Sequence, residues 1–380
     1  MAINEVSKHP IQDVWQDDMT GQDDSLAAQA LLRFLADRTA ALRQVSGGLS
    51  GGGVYQCSTS QGIYALKQWP ASTAAERLDE VHAVQQFASR SCPLVPRLVP
   101  GPEGICRVSL KESHFDLSSW MPGAAFALGL ADQNCGGKLE PASTADAMQA
   151  VKNGAAAIAH FHRSTRALGV CPAIAPAVIR RLQRLTELKT AIPAATPTAS
   201  RIGGAVGAAA SYLAKHGLRL IHEGDAVMRP WASRPVEVQW VLRDVHREHV
   251  LFEQGEVSGI VDFDAVKQDT RATDLARWVG SFAELGIDPN ALWAAAVSGY
   301  VCVREISAYE RQLAVAIEQA SWVIQLANWV VWSGNDSQEI PGGIESAQHR
   351  VGWLLRRSDI RLRGESLVTG DSPAASCWDS

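Results

Sequence analysis

The amino-acid sequence predicts an α+β protein in two lobes, a small strand-rich N-terminal lobe and a larger helical C-terminal lobe. Three observations carry this expectation. In "VSGGLSGGGVYQCSTSQGIYALKQW", short β-prone runs alternate with glycines, which suggests a hairpin and a strand ending near Trp69. "WMPGAAF", Trp120 to Phe126, breaks the pattern with Pro-Gly, and most of the chain beyond it has apolar residues at helical spacing. With 380 residues, 46% hydrophobic and 20% charged, the chain can bury a large core or two separate ones.

Taken in order, residues 1–24 are polar and acidic and are expected to be disordered. A leading helix is predicted from Ser25 to about Gln44, on the spacing of Leu31, Leu32, Leu35 and Leu42. After the glycine-rich hairpin, "TAAERLDEVHAVQQFAS" reads as a helix, and prolines interrupt the extended piece "PLVPRLV". Residues 25–119 thus form the N-terminal lobe, 120–123 a hinge, and 124–363 the helical lobe. Within that lobe, helices are expected at 145–168, 176–191 and 205–216, with the Ala/Pro/Thr/Gly-rich stretch 191–210 as a surface loop. Short strands at "VQWVL", "HVLF" and "SGIVDF" form a small β insert, and helices then continue to about Arg357. Residues 364–380 read as a disordered tail.

Composition excludes several classes. A net charge of −5 gives no electrostatic grip on nucleic acid. The seven cysteines are scattered, with no C-x-x-C pair, so neither a disulfide framework nor a thiolate zinc site is expected. "MAINEVSKHPIQDVW" lacks the apolar core of a signal peptide, and no apolar run reaches membrane-spanning length. A cytoplasmic protein without nucleic-acid or membrane partners is the expectation; the sequence leaves the oligomeric state open.

The candidate chemistry begins with Gly47, Gly48, Ser50 and Gly51, in a flexible turn between β-prone runs. Backbone N–H groups in such a turn can approach phosphate oxygens, although a plain turn has the same composition. Neither a Walker A loop nor a Rossmann fingerprint is present, since the required Lys and the following helix are missing. Lys67 lies in the apolar strand "YALKQW" and needs an anionic partner if it faces inward; Glu76 and Glu80 on the next helix are both in reach. In "VLRDVHREHVLF", Asp244 and His249 precede a strand, and a turn and second strand lead to Asp262 in "IVDFD". A hairpin brings those ends together, so His249 and Asp262 should converge near Asp244. Carboxylates and an imidazole around one point call for a cation. A zinc site on His246 and His249 is the rival, with no clear third ligand.

Taken in chain order, these segments resemble the aminoglycoside phosphotransferase and choline kinase family, whose fold is the bilobal protein-kinase-like one. "GGLSGGGVYQC" is similar to its nucleotide-binding loop, "YALKQW" to its lysine strand, and "RDVHREHVLF" with "GIVDFDAVKQDTRATDLARWVGS" to its catalytic and metal-binding segments. The resemblance implies a small-molecule O-phosphotransferase using ATP or another nucleoside triphosphate and Mg²⁺ or Mn²⁺, with a hydroxyl-bearing acceptor. It assigns Asp244 as catalytic base and Asp262 as metal ligand. Gly47, Gly48, Ser50 and Gly51 then contact the nucleotide, and Lys67 its phosphates. Glu80 becomes the partner of Lys67, preferred over Glu76 because its distance from Pro96 is close to the family spacing.

Two departures stand out. The family usually has His two residues before the catalytic Asp and Asn five residues after it; here Leu242 and His249 occupy those positions. An imidazole nitrogen replaces an amide oxygen at a metal-binding position, which suits Mn²⁺ better than Mg²⁺. A nucleotide-binding pseudokinase is the alternative these departures raise, and a zinc hydrolase a more remote one. Elsewhere, Asp264 reads as a solvated neighbour of Asp262 and His162 as a satisfied core histidine, while Asp274 matches a structural aspartate of the family that either supports the catalytic loop or, the favoured reading, caps a helix. Trp322, Trp329 and Trp332 share one helical face with Glu318 and Gln325 and read as core, with an acceptor-pocket wall as the other reading.

Overall fold

The structure is a computed structural model that describes residues 25–36, 40–45, 52–101, 103–126, 143–335, 340 and 342–363. The N-terminal glycines Gly47, Gly48 and Gly51 with Ser50, and the predicted disordered ends 1–24 and 364–380, lie outside the described residues.

Helix α1 (Leu26–Leu35) is capped by the Ser25 side chain, which accepts from the Ala28 N–H, and it ends at Ala36 in a left-handed conformation. The predicted continuation to Gln44 is not helical. Ala41–Val45 is strand β1, pairing antiparallel with β2 (Val54–Thr59). The five-stranded sheet is completed by β3 (Gly62–Gln68), β4 (Val108–Leu110) and β5 (Ser113–Ser119), in the order β1-β2-β3-β5-β4. Helix α1 covers it, burying Ala30 and Leu31 with Cys57, Leu66, Phe115 and Leu117 in a small core. Helix α2 (Ala75–Ser89) follows β3 but buries Leu78, Val81 and Val84 in the larger core of the helical lobe.

The chain leaves the sheet at Trp120 and forms the two-residue strand β6 (Ala124–Ala125). Gly123 adopts φ +93°, and a Cβ there would lie 2.5 Å from the Phe252 carbonyl oxygen, so glycine is what allows this close crossing. The helical lobe is built from α3 (Thr144–Thr165), α4 (Pro176–Ile202), α5 (Gly204–Met228), α6 (Ala272–Gly280), α7 (Pro289–Val301), α8 (Ala308–Ser333) and α9 (Gly343–Arg363). Two small sheets sit among them. In one, β9 (Val250–Glu253) lies between β10 (Glu256–Ile260) and β6; in the other, β8 (Val236–Val241) lies between β7 (Cys171–Ala173) and β11 (Lys267–Thr270).

The expected surface loop at 191–210 is instead helix, since α4 runs through Pro193 and Pro197. Both prolines are exposed while Ile192, Ala195 and Ala199 are buried. The carbonyls that prolines deprive of partners can therefore turn to water while the buried face packs. Trp322 and Trp329 are core residues, as expected. No helix among the described residues is long and apolar enough to cross a membrane.

Candidate active site

Lys67 lies near the end of β3, the central strand of its sheet, and reaches the helical lobe. Its Nζ lies 3.2 Å from Asp262 Oδ1, a residue 195 positions later in the chain, and it also ion-pairs with Asp264. It stands 4.8 Å over the Trp69 ring, a cation–π contact. Burial works against the lysine's charge, but Asp262 and Asp264 outweigh it and raise its pKa.

Glu80 is not the lysine's partner. Its carboxylate pairs with Arg77 on the same helix, and Arg77 in turn donates to the Asp264 and Val266 carbonyls. The residue of α2 that turns toward the sheet is His82, buried with its Nε2 3.0 Å from Asp116 Oδ2 on β5. Asp116 also takes the Trp69 indole N–H. Glu80 therefore acts through Arg77 on the loop that carries Asp264.

Asp264 is likewise not the solvated bystander expected. Burial and repulsion from Asp262, partly offset by Lys67, push its carboxyl up to about 6. Asp262 moves the opposite way: burial raises it, yet Lys67 and His249 hold it below the usual carboxylate range. Two neighbouring carboxylates with divergent pKa values around one lysine mark an electrostatically built site.

His249 closes the other side. Its Nδ1 lies 2.8 Å from the Asp244 carbonyl oxygen, which can only accept, so Nδ1 carries the proton. The Nε2 of His249 then faces Asp262 Oδ2 at 3.4 Å. In the neutral ring these are two acceptors pointed at each other, an arrangement that fits a shared cation. Fixing the tautomer through a backbone carbonyl is how metal-ligating histidines are oriented. The His246 ring is stacked on His249 at 3.8 Å, and Asp244, His246 and His249 offer ligand atoms within 4.8 Å of one another. A cation between those three is less favoured. Burial first, then His249, Arg277, Arg350 and Arg247, drive the His246 pKa well down, so that side of His249 is already positive. On that side the one carboxylate, Asp244, is already bound by Arg277, whereas on the Asp262 side two carboxylates, Asp262 and Asp264, share a single lysine.

The side chain of Asp244 is half exposed, and its Oδ1 accepts Nε–H of Arg277 at 2.8 Å. The loop beneath it is held by Asp274. That residue is fully buried, and its two oxygens accept Leu242 N–H at 2.8 Å and Arg243 N–H at 2.6 Å. It caps no helix: α6 begins at Ala272 without a side-chain cap, and the carboxylate reaches across to the loop instead. Arg243, next to Asp244, sits at φ +69° and Asp262 itself at φ +62°, so non-glycine residues are held left-handed at both places. His162 is satisfied in the core, its Nε2 2.8 Å from Asp274 and its Nδ1 2.9 Å from the Tyr300 hydroxyl. Arg277 was missed by the sequence reading. Its spacing of one helical turn from Asp274 was the available signal.

Comparison with known proteins bears on this geometry. The profile of the Phosphotransferase enzyme family matches residues 41–310. No curated protein matches. Among solved structures, an aminoglycoside phosphotransferase from Alicyclobacillus acidocaldarius superposes with a TM-score of 0.59 at 16% identity, covering 91% of this chain and 98% of that one. An amicoumacin kinase in complex with AMP-PNP, Ca²⁺ and Ami gives 0.56 at 12% identity, over 85% of this chain and 88% of that one. A microcompartment-associated aminopropanol kinase gives 0.54 at 16% identity, over 87% and 93% respectively. At these identities the structures speak to the fold, which is the bilobal kinase-like one.

Proposed function

This chain belongs to the phosphotransferase enzyme family, and from that premise we propose that it moves the γ-phosphoryl group of ATP, or another nucleoside triphosphate, to a hydroxyl of a small molecule. The observation that carries the reading is the meeting of Lys67 from the sheet with Asp262 and Asp264 from the helical lobe, beside a half-exposed Asp244. In this reading Lys67 supplies positive charge to the nucleotide phosphates, and the segment Gly47–Gly51 is the nucleotide loop that the family resemblance implies. Asp262 and His249 would hold a divalent cation, which when bound spreads the charge of the phosphates. A fold neighbour solved with AMP-PNP and Ca²⁺ supports a nucleotide and a divalent metal here.

Asp244 does the proton work. Arg277 occupies Oδ1, which leaves Oδ2 to accept the proton of an acceptor hydroxyl. The oxygen of that hydroxyl forms the new bond to phosphorus as the bond to the nucleoside diphosphate breaks. The chain's contribution is positioning and charge rather than covalent catalysis. Asp274 contributes at one remove, by pinning the backbone of Leu242 and Arg243.

The test is a pair of substitutions. Asp244→Asn should leave nucleotide affinity near that of the wild type while turnover falls about 100-fold or more, as loss of a positioned acid–base group does. Asp262→Ala should abolish metal-dependent nucleotide binding. Equal and mild effects from both would favour a nucleotide-binding pseudokinase, the alternative that Leu242 and His249 raise.

A further inference from the structure

Beside Asp244 a small cleft of about 30 Å³, room for one compact polar group, opens where α4, α6, α8 and α9 meet, lined by Arg181, Arg277, Glu318, Ser321, Gln325 and Trp353. Arg277 belongs to both places, since it lines the cleft and binds the Asp244 carboxylate at 2.8 Å. We propose that the acceptor carries an anionic group, a carboxylate or a phosphate, held by Arg181 and Trp353 in this cleft while its hydroxyl faces Asp244. This rests on the phosphotransferase reading above and names the acceptor class for that same site.

Three features point to an anion. Arg181 donates to the Ser321 hydroxyl at 2.9 Å and to the Ala177 carbonyl at 3.1 Å, and among the described residues no carboxylate lies within ion-pair distance of it. Its nearest acid, Asp269, is already held by Arg180 and by the Ala177 and Thr270 N–H groups. Burial pushes the Arg181 pKa down to about 10, with Asp269 opposing and Arg180, Arg243 and Arg277 adding to the fall. The guanidinium is thus desolvated with neutral acceptors, not a carboxylate, bonded to it.

The second feature is the Trp353 indole. Its Nε1–H is buried with no hydrogen-bond partner among the described residues, an orphan donor on the wall of the cleft. The third is the balance of the lining. Two arginines and the indole N–H present donors, the Ser321 hydroxyl already accepts from Arg181 and donates to the Ile317 carbonyl, Gln325 can do either, and Glu318, with its Oε1 buried, is the one acid. An anion satisfies Arg181 and Trp353 together. A polycationic acceptor meets two arginines instead, and like charges in a confined cleft repel.

The experiment separates binding from transfer. Isothermal titrations with D-glycerate, glycerol 3-phosphate, glycerol and ethanolamine are run on the full chain with AMP-PNP and Mg²⁺ or Mn²⁺ present, so the nucleotide site is filled. At least one anion should bind about 10-fold or more tighter than glycerol and ethanolamine, and which anion does so separates carboxylate from phosphate. Arg181→Gln should erase that preference, Arg181→Lys should keep part of it, and Trp353→Phe should weaken it. Unfolding curves confirm that each variant is folded.

Equal binding of all four probes by the wild type overturns the proposal, as does a preference that survives in folded Arg181→Gln. Transfer from ATP is then read with the same compounds. If anions bind through Arg181 but nothing is phosphorylated, the anion site stands and the phosphotransferase reading fails. If cationic acceptors are phosphorylated with a KM that Arg181→Gln does not move, the phosphotransferase reading stands and the anion site falls.

Discussion

At the scale of single residues, His249 decides most about the chemistry. With Nδ1–H committed to the Asp244 carbonyl, the ring can offer only a lone pair or an extra proton to Asp262, 3.4 Å away. A metal ion or a proton must lie between them for the contact to be favourable. If the ion is ligated by Nε2, nitrogen coordination favours Mn²⁺ over Mg²⁺, which strongly prefers oxygen. His249→Asn should then shift both metal affinity and turnover toward Mg²⁺. The check is the ratio of Mn²⁺ to Mg²⁺ affinity, measured by titrating each metal into wild type and variant with AMP-PNP present, alongside the ratio of turnovers. An unmoved ratio would remove His249 from direct coordination and leave it as a hydrogen-bonding neighbour of Asp262. The sequence made the convergence of His249 and Asp262 readable, because a hairpin must join its ends. It could not show that Glu80 turns away from Lys67 toward Arg77. Which side chains of α2 face the lysine depends on the helix's rotation, and that rotation is set by how Leu78, Val81 and Val84 pack.

At the scale of elements, helix α6 is the support of the loop. Asp274 receives three buried donors: the N–H groups of Leu242 and Arg243 and Nε2–H of His162. Removing the carboxylate strands them all, and each buried donor left without a partner costs about 1–3 kcal/mol. Asp274→Ala should therefore lower stability by about 3 kcal/mol or more and, by freeing Arg243 from its left-handed conformation, reduce turnover beyond what partial unfolding explains. Urea unfolding together with activity per folded molecule tests both halves; a variant with normal stability would refute the clamp. The contact between α3 and α7 offers a second test. A Cβ on Gly299 would lie 1.9 Å from the Lys152 carbonyl oxygen, so the helices approach at backbone distance. Gly299→Ala should destabilise by about 1–3 kcal/mol or more, the range for overpacking, despite alanine's better helix propensity. Reading elements from sequence failed where tertiary packing overrode local rules. The prolines of α4 and the strand β1 are such places: α4 stays helical because its other face is buried, and β1 is set by pairing with the next strand, Ala41 opposite Ser58 and Val45 opposite Val54.

At the scale of the whole molecule, the two-lobed α+β plan was legible because its signals are repeated: alternation in the first part, helical spacing in the rest. The charge arrangement between the lobes was less so, since Asp264, Arg277 and Arg181 gain their meaning only from neighbours distant in sequence. The same buried groups govern how the molecule responds to acid. His162 is enclosed, and burial, only partly opposed by its bond to Asp274, holds its pKa below the ordinary value. In the unfolded chain a histidine titrates near 6.5, roughly. Below that pH the unfolded chain binds a proton that the folded chain refuses, so stability is full above it and falls as pH drops toward the lower folded value. One such group gives a limiting slope of about 1.4 kcal/mol per pH unit, and His246 acts in the same direction. Asp264 acts oppositely. With its carboxyl raised to about 6 in the folded state, it takes up a proton before the unfolded chain does and returns some stability as pH falls. With His160, whose pKa burial and Arg163 also lower, three histidines against one carboxylate leave a net loss. Urea unfolding of the wild type from about pH 7.5 to about 5.5 should therefore show stability decreasing with acid, and His162→Gln should flatten the slope by about one proton. A slope unchanged by His162→Gln, in a variant that still folds, would mean that the folded protein admits a proton at His162 as readily as the unfolded chain does.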